Sequence, residues 1–508
     1  RFFEEPSQRV GTSSWTLASP APKEQALETL RQAGFKDLGG ALDRLHAWQK
    51  GSHCPKGDER SRAAIVELIP GVIEAAGRTG DPDKTLEHLD VFLAKLDKGL
   101  RCFSLLSANP QVLDLLVDIT AAAPALANVL SRAPDQLQSA LSADFFSLLP
   151  DGRLFAAEIA DLMRQGDLKL ATNRAAAWAS ARRFQIAVNI LRHRIDSSDA
   201  GQALRGVADA IVRGTAARLT DELASGGGPP ARETTVVAFG AYGTGDLTTR
   251  SPMDLLFLHE RGEAVTTSDP GPAQRLVALL STPTENGQLC DLNGDAGPWG
   301  EVGPLVAQLD TFQSLNERLS GLRPLLALSQ ARVIMGPRAE RVAEVVRGLI
   351  ATQHDMSRLA AAAVDLRREA VAAGATDAIV DPRRCPGGLE DLELTVRMYQ
   401  WRHAVDMPAI LEPSVPRALA NLGSLGLIPE PLVKRLLGAH RLLRQLECVL
   451  GVAVEEPLGR DRLPEGLASL LLRAGGAGNF QQLDEAVEDA TSTVRAAFGA
   501  VVDRAGDN

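Results

Sequence analysis

The sequence has few aromatic residues, few cysteines and no long apolar run. Aromatic residues make up 4% of the 508 residues, and two are tyrosines, so the stacking surfaces that bind single-stranded nucleic acid are not expected. No apolar stretch reaches the roughly 18 residues that a membrane-spanning helix needs. We therefore predict no membrane span.

The cysteines and the charge balance limit the possible classes of protein further. The five cysteines are an odd number, lie far apart in the chain and form no CxxC pair or Cys/His group with zinc spacing. That distribution favours a reducing cytoplasm over a disulfide framework. With 54 basic and 64 acidic residues the formal net charge is −10, which is not typical of proteins that bind nucleic acid. We expect a cytoplasmic globular protein with no nucleic-acid partner.

Composition and periodicity predict three regions. Residues 1–225 are expected to be helical, residues 226–345 to form a small α+β domain, and residues 346–508 to be helical again. The Gly-Gly-Gly-Pro-Pro run at 226–230 is the strongest linker signal. The predicted fold class is mainly α with a small α+β domain, in which a mixed sheet is flanked by helical bundles.

Local patterns support these assignments. Apolar residues recur at helical spacing over residues 91–119, and Asn109-Pro110 divides that stretch into two helices, because a residue before proline avoids the helical conformation. Residues 234–239 and 255–258 have the composition and length of strands. Leucines at helical spacing predict a long amphipathic helix over residues 432–450.

The segment 236–258, VVAFGAYGTGDLTTRSPMDLLFL, carries the clearest chemical pattern. A predicted strand is followed by a glycine-rich turn with Gly240 and Gly243, and a second predicted strand carries Asp254. Glycines after a strand let backbone N–H groups approach phosphate oxygens. The spacing fits neither the dinucleotide fingerprint nor a Walker loop, and a tight loop between two strands is the alternative interpretation.

A family resemblance supplies the context for this segment. Residues 240–255 read G-A-Y-G-T-G-D-L-T-T-R-S-P-M-D-L and align without gaps with G-K-L-G-G-R-E-x-x-x-x-S-D-x-D-L. That pattern belongs to the nucleotidyltransferase core of glutamine synthetase adenylyltransferases. Other segments resemble the same family in the same order: the arginine-rich stretch 181–200, the Pro-Thr at 283–284, the Cys-Pro-Gly-Gly-Leu at 385–389 and the Gln-Trp-Arg-His-Ala at 400–404. The chain is most similar to the C-terminal, adenylylating half of that enzyme.

The resemblance implies a DNA polymerase beta-type nucleotidyltransferase. In that family, three carboxylates hold two magnesium ions, and AMP passes from ATP to a protein hydroxyl such as a tyrosine of glutamine synthetase. Magnesium and ATP are thus the implied cofactors, and glutamine synthetase is the implied partner. The implied metal ligand is Asp254. The residues implied to lie near the nucleotide are Gly240, Gly243, Ser251, Arg332, Arg383, Asp391 and Glu393.

The chain departs from the family pattern at the positions that matter most. Pro252, which has no ligand atom, falls on the first carboxylate position, and the neutral Asn293 falls on the third. Asp254 is retained as the second. Asp291 and Asp295 are possible substitutes, because in a strand they share one face with Asn293. The lysine of the glycine-rich pattern is replaced by Ala241.

Other candidate residues also have a plainer interpretation. Glu393 and Arg397 lie four residues apart and are expected to form an ion pair on the surface of a helix, instead of contacting a nucleotide. The cysteines are expected to be small buried side chains and not nucleophiles.

Three functions remain open at this stage. The first is a catalytically impaired relative, a pseudoenzyme that acts by binding or regulating another protein. The second is an active magnesium-dependent AMP transferase that uses Asp254 and a substituted acid. The third is a nucleotide or metabolite sensor. Whether the chain is an enzyme is left undecided, because an enzyme needs magnesium, ATP and Asp254, a sensor needs only a ligand, and an interaction protein needs neither.

Overall fold

The computed structural model describes most of the chain. The described residues are 23–54, 58–96, 99–142, 145, 149, 152–225, 234–259, 271–284, 287–293, 305–314, 321–377, 379–456 and 458–506. The predicted linker at 226–230 and the candidate residue Asp295 lie outside them. Within these ranges no single helix is both long and apolar enough to cross a membrane; one sharply bent pair, Cys102–Ala108 with Pro110–Ala122, passes the test of length and composition only when both helices are taken together.

Helices make up most of the described structure. In the N-terminal part they are α1 (Lys23–Gln32), α2 (Leu38–Gln49), α3 (Glu59–Gly77), α4 (Pro82–Ala94), α5 (Gly99–Ala108), α6 (Pro110–Ala122), α7 (Pro124–Arg132), α8 (Gly152–Met163), α9 (Leu168–Leu191) and α10 (Ser197–Ser225). Those that follow are α11 (Gly240–Thr244), α12 (Pro272–Ser281), α13 (Leu309–Gln313), α14 (Leu322–Ser329), α15 (Ala339–Ile350), α16 (Met356–Ala372), α17 (Leu389–His403), α18 (Val415–Ser424), α19 (Glu430–Ala453), α20 (Glu465–Ala474) and α21 (Phe480–Gly506). Short 3-10 turns cover Pro134–Leu141, Pro408–Ile410 and Arg460–Arg462.

One small mixed sheet interrupts the helices. Its strands are β1 (Thr235–Ala238), β2 (Met253–His259), β3 (Leu292–Asn293), β4 (Val306–Gln308) and β5 (Arg332–Met335). They run in the order β3-β2-β1-β5, and β4 also pairs with β2. The central strand β1 is antiparallel to β2 and β5, whereas β3 and β4 are parallel to β2.

The predicted fold class is confirmed: the chain is mainly α with one small α+β part. The break at Asn109-Pro110 separates α5 from α6 as expected. The two predicted strands are β1 and β2, and the predicted leucine-rich helix is α19. One local detail differs, because the glycine-rich turn opens with the single helical turn of α11.

The described chain divides into two compact units. One comprises Arg1–Leu148, Ala187–Ile195 and Val449–Gly478; the other comprises Leu149–Ile186, Asp196–Cys448 and Asn479–Asn508. The three predicted regions remain a proposal about domain organisation. The second unit contains the sheet and every described residue of the candidate site.

A hydrophobic core inside the second unit supports one face of the sheet. Leu256 and Leu258 of β2 pack in it, together with α17 side chains such as Trp401. Side chains alternate along a strand, so Asp254 belongs to the same face of β2 as these two leucines. The candidate carboxylate is therefore held at the edge of this core and is only 7% exposed.

Candidate functional site

Asp254 lies against the first residue of the glycine-rich turn, residues 240–246. The backbone N–H of Phe239 donates to the Asp254 carbonyl oxygen over 2.9 Å, which fixes the start of the turn beside β2. Gly240 has a φ of +54°, and a Cβ built on it would lie 2.5 Å from Asp254 Oδ2. Gly240 is thus required both by its backbone conformation and by the nearby carboxylate.

The other two carboxylate positions of the pattern flank Asp254. Pro252 lies immediately before β2, two residues from Asp254 and therefore on the same face. On β3, Asn293 is the register partner of Asp254. A carboxylate at each position would thus join Asp254 at one face of the sheet, but the chain has a proline and an amide there.

The structure describes only one of the two possible substitute acids, Asp291. Asp291 precedes β3, and its carbonyl oxygen accepts a 2.7 Å bond from the N–H of Met253. Its side chain is exposed, and its Oδ1 accepts a 3.4 Å bond from Gln288 Nε2. Asp291 is therefore beside the strand pair, while the position of Asp295 is outside the described residues.

Gly243 brings the glycine-rich turn into contact with the residue that follows α14. A Cβ on Gly243 would overlap the carbonyl oxygen of Gln330. The Gln330 amide donates to Glu393 Oε1 over 2.8 Å, and the same oxygen accepts a 3.1 Å bond from Arg397. The expected pair of Glu393 with Arg397 is confirmed, but its placement on the helix surface was wrong, since Arg397 is fully buried.

Arg332 forms an ion pair with Asp209 inside the protein. Its guanidinium makes two bonds to the carboxylate of Asp209 in α10, at 2.8 and 3.1 Å, and stacks 5.2 Å from the centre of the Tyr242 ring. The Tyr242 hydroxyl donates to the same carboxylate over 2.8 Å. Arg332 and Asp209 thus clamp Tyr242, which lies in the middle of the glycine-rich turn.

Arg383 belongs to a second charged network that reaches the end of the turn. Arg383 Nε donates to Glu447 Oε1 over 2.5 Å, and Arg444 donates to the other carboxylate oxygen of Glu447. Arg444 Nε also lies 3.6 Å from the carboxylate of Asp246. Burial alone would raise the pKa of Asp246, but Arg444 and neighbouring cations hold it below its ordinary range. The two arginines therefore keep the carboxylates of Glu447 and Asp246 in their charged form.

Asp391 stabilises the turn formed by the Pro-Gly-Gly sequence before α17. Its Oδ2 accepts a 2.6 Å bond from the N–H of Gly387 and lies 3.2 Å from Arg367 Nε. Gly387 has a φ of +80°, and a Cβ there would overlap the carbonyl oxygen of Thr491. Asp391 is 4% exposed, so its carboxylate is buried against this turn and bonds to Gly387 instead of facing solvent.

Ser251 closes the loop that leads from the glycine-rich turn into β2. Its hydroxyl oxygen accepts a 2.9 Å bond from the N–H of Thr248 and lies 3.0 Å from the Thr248 hydroxyl. Ser251 therefore sets the start of β2, two residues before Met253 and three before Asp254.

Comparisons with known proteins find two family models and several similar enzymes. The model of the glutamate-ammonia ligase adenylyltransferase family matches residues 113–345, and that of PII-uridylyltransferase matches residues 363–502. A bifunctional glutamine synthetase adenylyltransferase/adenylyl-removing enzyme of Rhodopseudomonas palustris is 28% identical over 491 residues, which cover 94% of this chain and 50% of the relative. The enzyme of the same name from Caulobacter vibrioides is 29% identical over 514 residues, covering 98% and 51%.

The chain is similar to glutamine synthetase adenylyltransferases, and the match to their family model spans residues 113–345. It spans about half the length of the curated relatives that it matches. Within the second unit, the glycine-rich turn is connected to α17, which follows the Pro-Gly-Gly turn, because Gly243 contacts Gln330 and Gln330 bonds to Glu393.

Glu390 was not singled out from the sequence, although it lies near both Arg383 and Glu393 in the structure. Burial raises its pKa to about 7; Arg383 opposes the shift and the nearby Glu393 carboxylate adds to it. The sequence signal was available, since Glu390 and Glu393 are three residues apart and share one face of α17.

The raised pKa of Glu390 predicts a pH-dependent stability. The folded state binds the Glu390 proton more tightly than the unfolded chain, whose carboxyl titrates near 4.5. The contribution of protonated Glu390 to the free energy of unfolding is therefore full at acidic pH and is lost as the pH rises from 4.5 to about 7. We expect the Glu390→Gln variant to gain on the order of 2 kcal/mol relative to wild type across that window. Urea denaturation at several pH values measures the difference. A difference that does not change with pH would contradict the assignment, and the exposed Glu344→Gln is the matched control.

Proposed function

We propose that this chain is a catalytically impaired member of its family that acts by binding or regulating a protein partner. The proposal rests mainly on one observation: Asp254 is flanked by Pro252 and by its register partner Asn293, at the positions where the family pattern has carboxylates. Phosphoryl and nucleotidyl transfer of this class depends on metal ions held by several carboxylates.

The chemistry of the donor set supports the proposal. Magnesium prefers charged oxygen ligands in octahedral geometry, whereas proline has no ligand atom and an amide oxygen carries no full charge. The described residues at β2 and β3 therefore do not fit a pair of magnesium ions. We assign no catalytic step to a metal in this chain.

The neighbouring ion pairs point the same way. Arg332 is held by Asp209, and Arg383 is held by Glu447, so both cations that the resemblance placed near a nucleotide already have carboxylate partners. A triphosphate would have to compete with these partners for both guanidinium groups at a partly buried site. Removing one member of a buried pair leaves an uncompensated charge, which opposes that exchange.

We further propose glutamine synthetase as the partner. The relatives are named for their action on glutamine synthetase, and the chain matches about half of their length. A docking role needs the family surface and not the metal site. A cytoplasmic location, expected from the scattered cysteines, is part of the same proposal; all five cysteines are free thiols.

An active AMP transferase is the second candidate. It is favoured by the retention of Asp254 beside Gly240 and by Asp291, whose backbone is bonded to the start of β2. In that case magnesium and ATP are required. A nucleotide sensor would need ATP without turnover.

A transfer assay separates these functions. The chain is incubated with glutamine synthetase and magnesium-ATP labelled on the α-phosphate, and binding of the two proteins is measured in parallel. We expect binding to glutamine synthetase without nucleotide and no labelling above that of the Asp254→Ala variant. Labelling that disappears in Asp254→Ala would refute the impaired-enzyme proposal, and absence of binding would refute the proposed partner.

A further inference from the structure

A cavity of about 220 Å³ lies beside strand β5. It is bounded by α14, β5, α15 and the segment 411–413. Most of its lining is aliphatic: Leu328, Ala331, Val333, Val346, Ile350 and Leu411. Because β5 and β3 are at opposite ends of the path β3-β2-β1-β5, this cavity is separate from the Asp254 and Asn293 pair.

Most polar groups that line the cavity are already bonded within the protein. The Ser329 hydroxyl accepts a 2.8 Å bond from the indole N–H of Trp401. The Gln400 amide donates to the Ile410 carbonyl oxygen over 2.9 Å. Arg332 is held by the two bonds to Asp209 described above. These groups shape the wall but have few bonds left to offer a ligand.

Arg347 differs from the other polar residues of the lining. It is exposed on α15, and among the described residues none forms a side-chain hydrogen bond or ion pair with its guanidinium. The carboxylate that lines the cavity, Glu412, is instead paired with Arg417 at 3.2 Å and accepts a 3.0 Å bond from the N–H of Ser414. The cavity thus combines an apolar interior with one available positive charge.

We propose that this cavity binds a small monocarboxylate with an aliphatic body. The body would fill the apolar interior, and the carboxylate would pair with Arg347, since charge-assisted Arg–carboxylate bonds are among the strongest hydrogen bonds in proteins. An apolar cavity of about 150 Å³ holds a benzene molecule, so the volume here suits a ligand of about nine non-hydrogen atoms. Because the charge of Glu412 is already offset by Arg417, the lining favours a carboxylate over the ammonium group of an amino acid. The proposal does not depend on the state of the Asp254 site.

Binding of 4-methylpentanoate to the full chain tests the proposal, with ligand-observed NMR and calorimetry as readouts. We expect saturable binding with a Kd on the order of 1 mM. Arg347→Gln should weaken it by about tenfold, because it removes the charge but keeps a polar, uncharged side chain. The uncharged 4-methylpentanol should bind wild type and Arg347→Gln equally, which separates the role of the cation from that of the cavity.

Two further variants make the result decisive. Ala343→Phe is designed to fill the cavity and should abolish binding; circular dichroism establishes that it folds, and Ala343→Val replaces it if it does not. Arg358→Gln changes an exposed arginine on the next helix and should bind like wild type. Absence of saturable binding to wild type, equal affinity in Arg347→Gln, or binding that survives filling of the cavity would each overturn the proposal.

Discussion

The Gly243→Ala variant is expected to lose about 3 kcal/mol or more of folding free energy. The added Cβ would overlap the carbonyl oxygen of Gln330 and lie 2.9 Å from that of Ala238. Both are backbone atoms in fixed positions: Ala238 pairs with Leu255 of β2, and the N–H of Gln330 is bonded to the end of α14. Neither can rotate away as a side chain can, so the whole glycine-rich turn must move.

Gly438→Ala provides the matched control. Gly438 lies inside α19, and a Cβ built on it would have no atom within 4 Å. Alanine in a helix interior is more favourable than glycine by roughly 0.5–1 kcal/mol, so this variant should be slightly more stable than wild type. Urea denaturation followed by circular dichroism compares the two. A similar small effect of both substitutions would show that the turn is not packed against Gln330 as described.

Much of the fold could be predicted because its signals are local. Apolar residues at helical spacing over 432–450 predicted α19, and proline at position 110 predicted the break before α6. The β-branched residues at 234–239 predicted β1. The pair of Glu393 and Arg397 followed from i, i+4 spacing alone. Its burial did not, because burial depends on the segments that pack over α17.

The charge pairs around the candidate site could not be predicted in the same way. Arg332 and Asp209 are 123 residues apart in sequence, and Arg383 and Glu447 are 64 apart. Nothing in local spacing indicates which acid will meet which base over such separations. The family resemblance implied that Arg332 and Arg383 lie near a nucleotide, which stays a prediction; the structure adds that each is paired with a carboxylate inside the second unit.

The glycine-rich turn shows how local and distant information combine. Its glycines predicted a close approach of the backbone to some partner. The structure identifies that partner as the protein itself at two points: Gly240 faces the Asp254 carboxylate, and Gly243 faces the Gln330 carbonyl. Which partner a glycine approaches is set by tertiary packing, so sequence spacing alone could not distinguish a phosphate from a protein atom.

The second large effect is expected from restoring the missing carboxylates. In the Pro252→Asp/Asn293→Asp variant, period-two spacing and strand register place both new acids on the face of Asp254. Three clustered carboxylates are expected to bind magnesium and, through it, a triphosphate. We expect ATP to bind about tenfold tighter or more with magnesium than with EDTA. The matched Pro252→Ala/Asn293→Ala variant removes the same side chains without adding charge and should show no magnesium effect.

Calorimetric titration of the unmodified chain with millimolar ATP, in magnesium and in EDTA, tests the central claim most directly. The Asp254→Ala variant is titrated in parallel. We expect no magnesium-dependent heat of binding from wild type and the same isotherm from Asp254→Ala. Magnesium-dependent ATP binding to wild type that is lost in Asp254→Ala would contradict the claim and show that Asp254 still holds a working metal site.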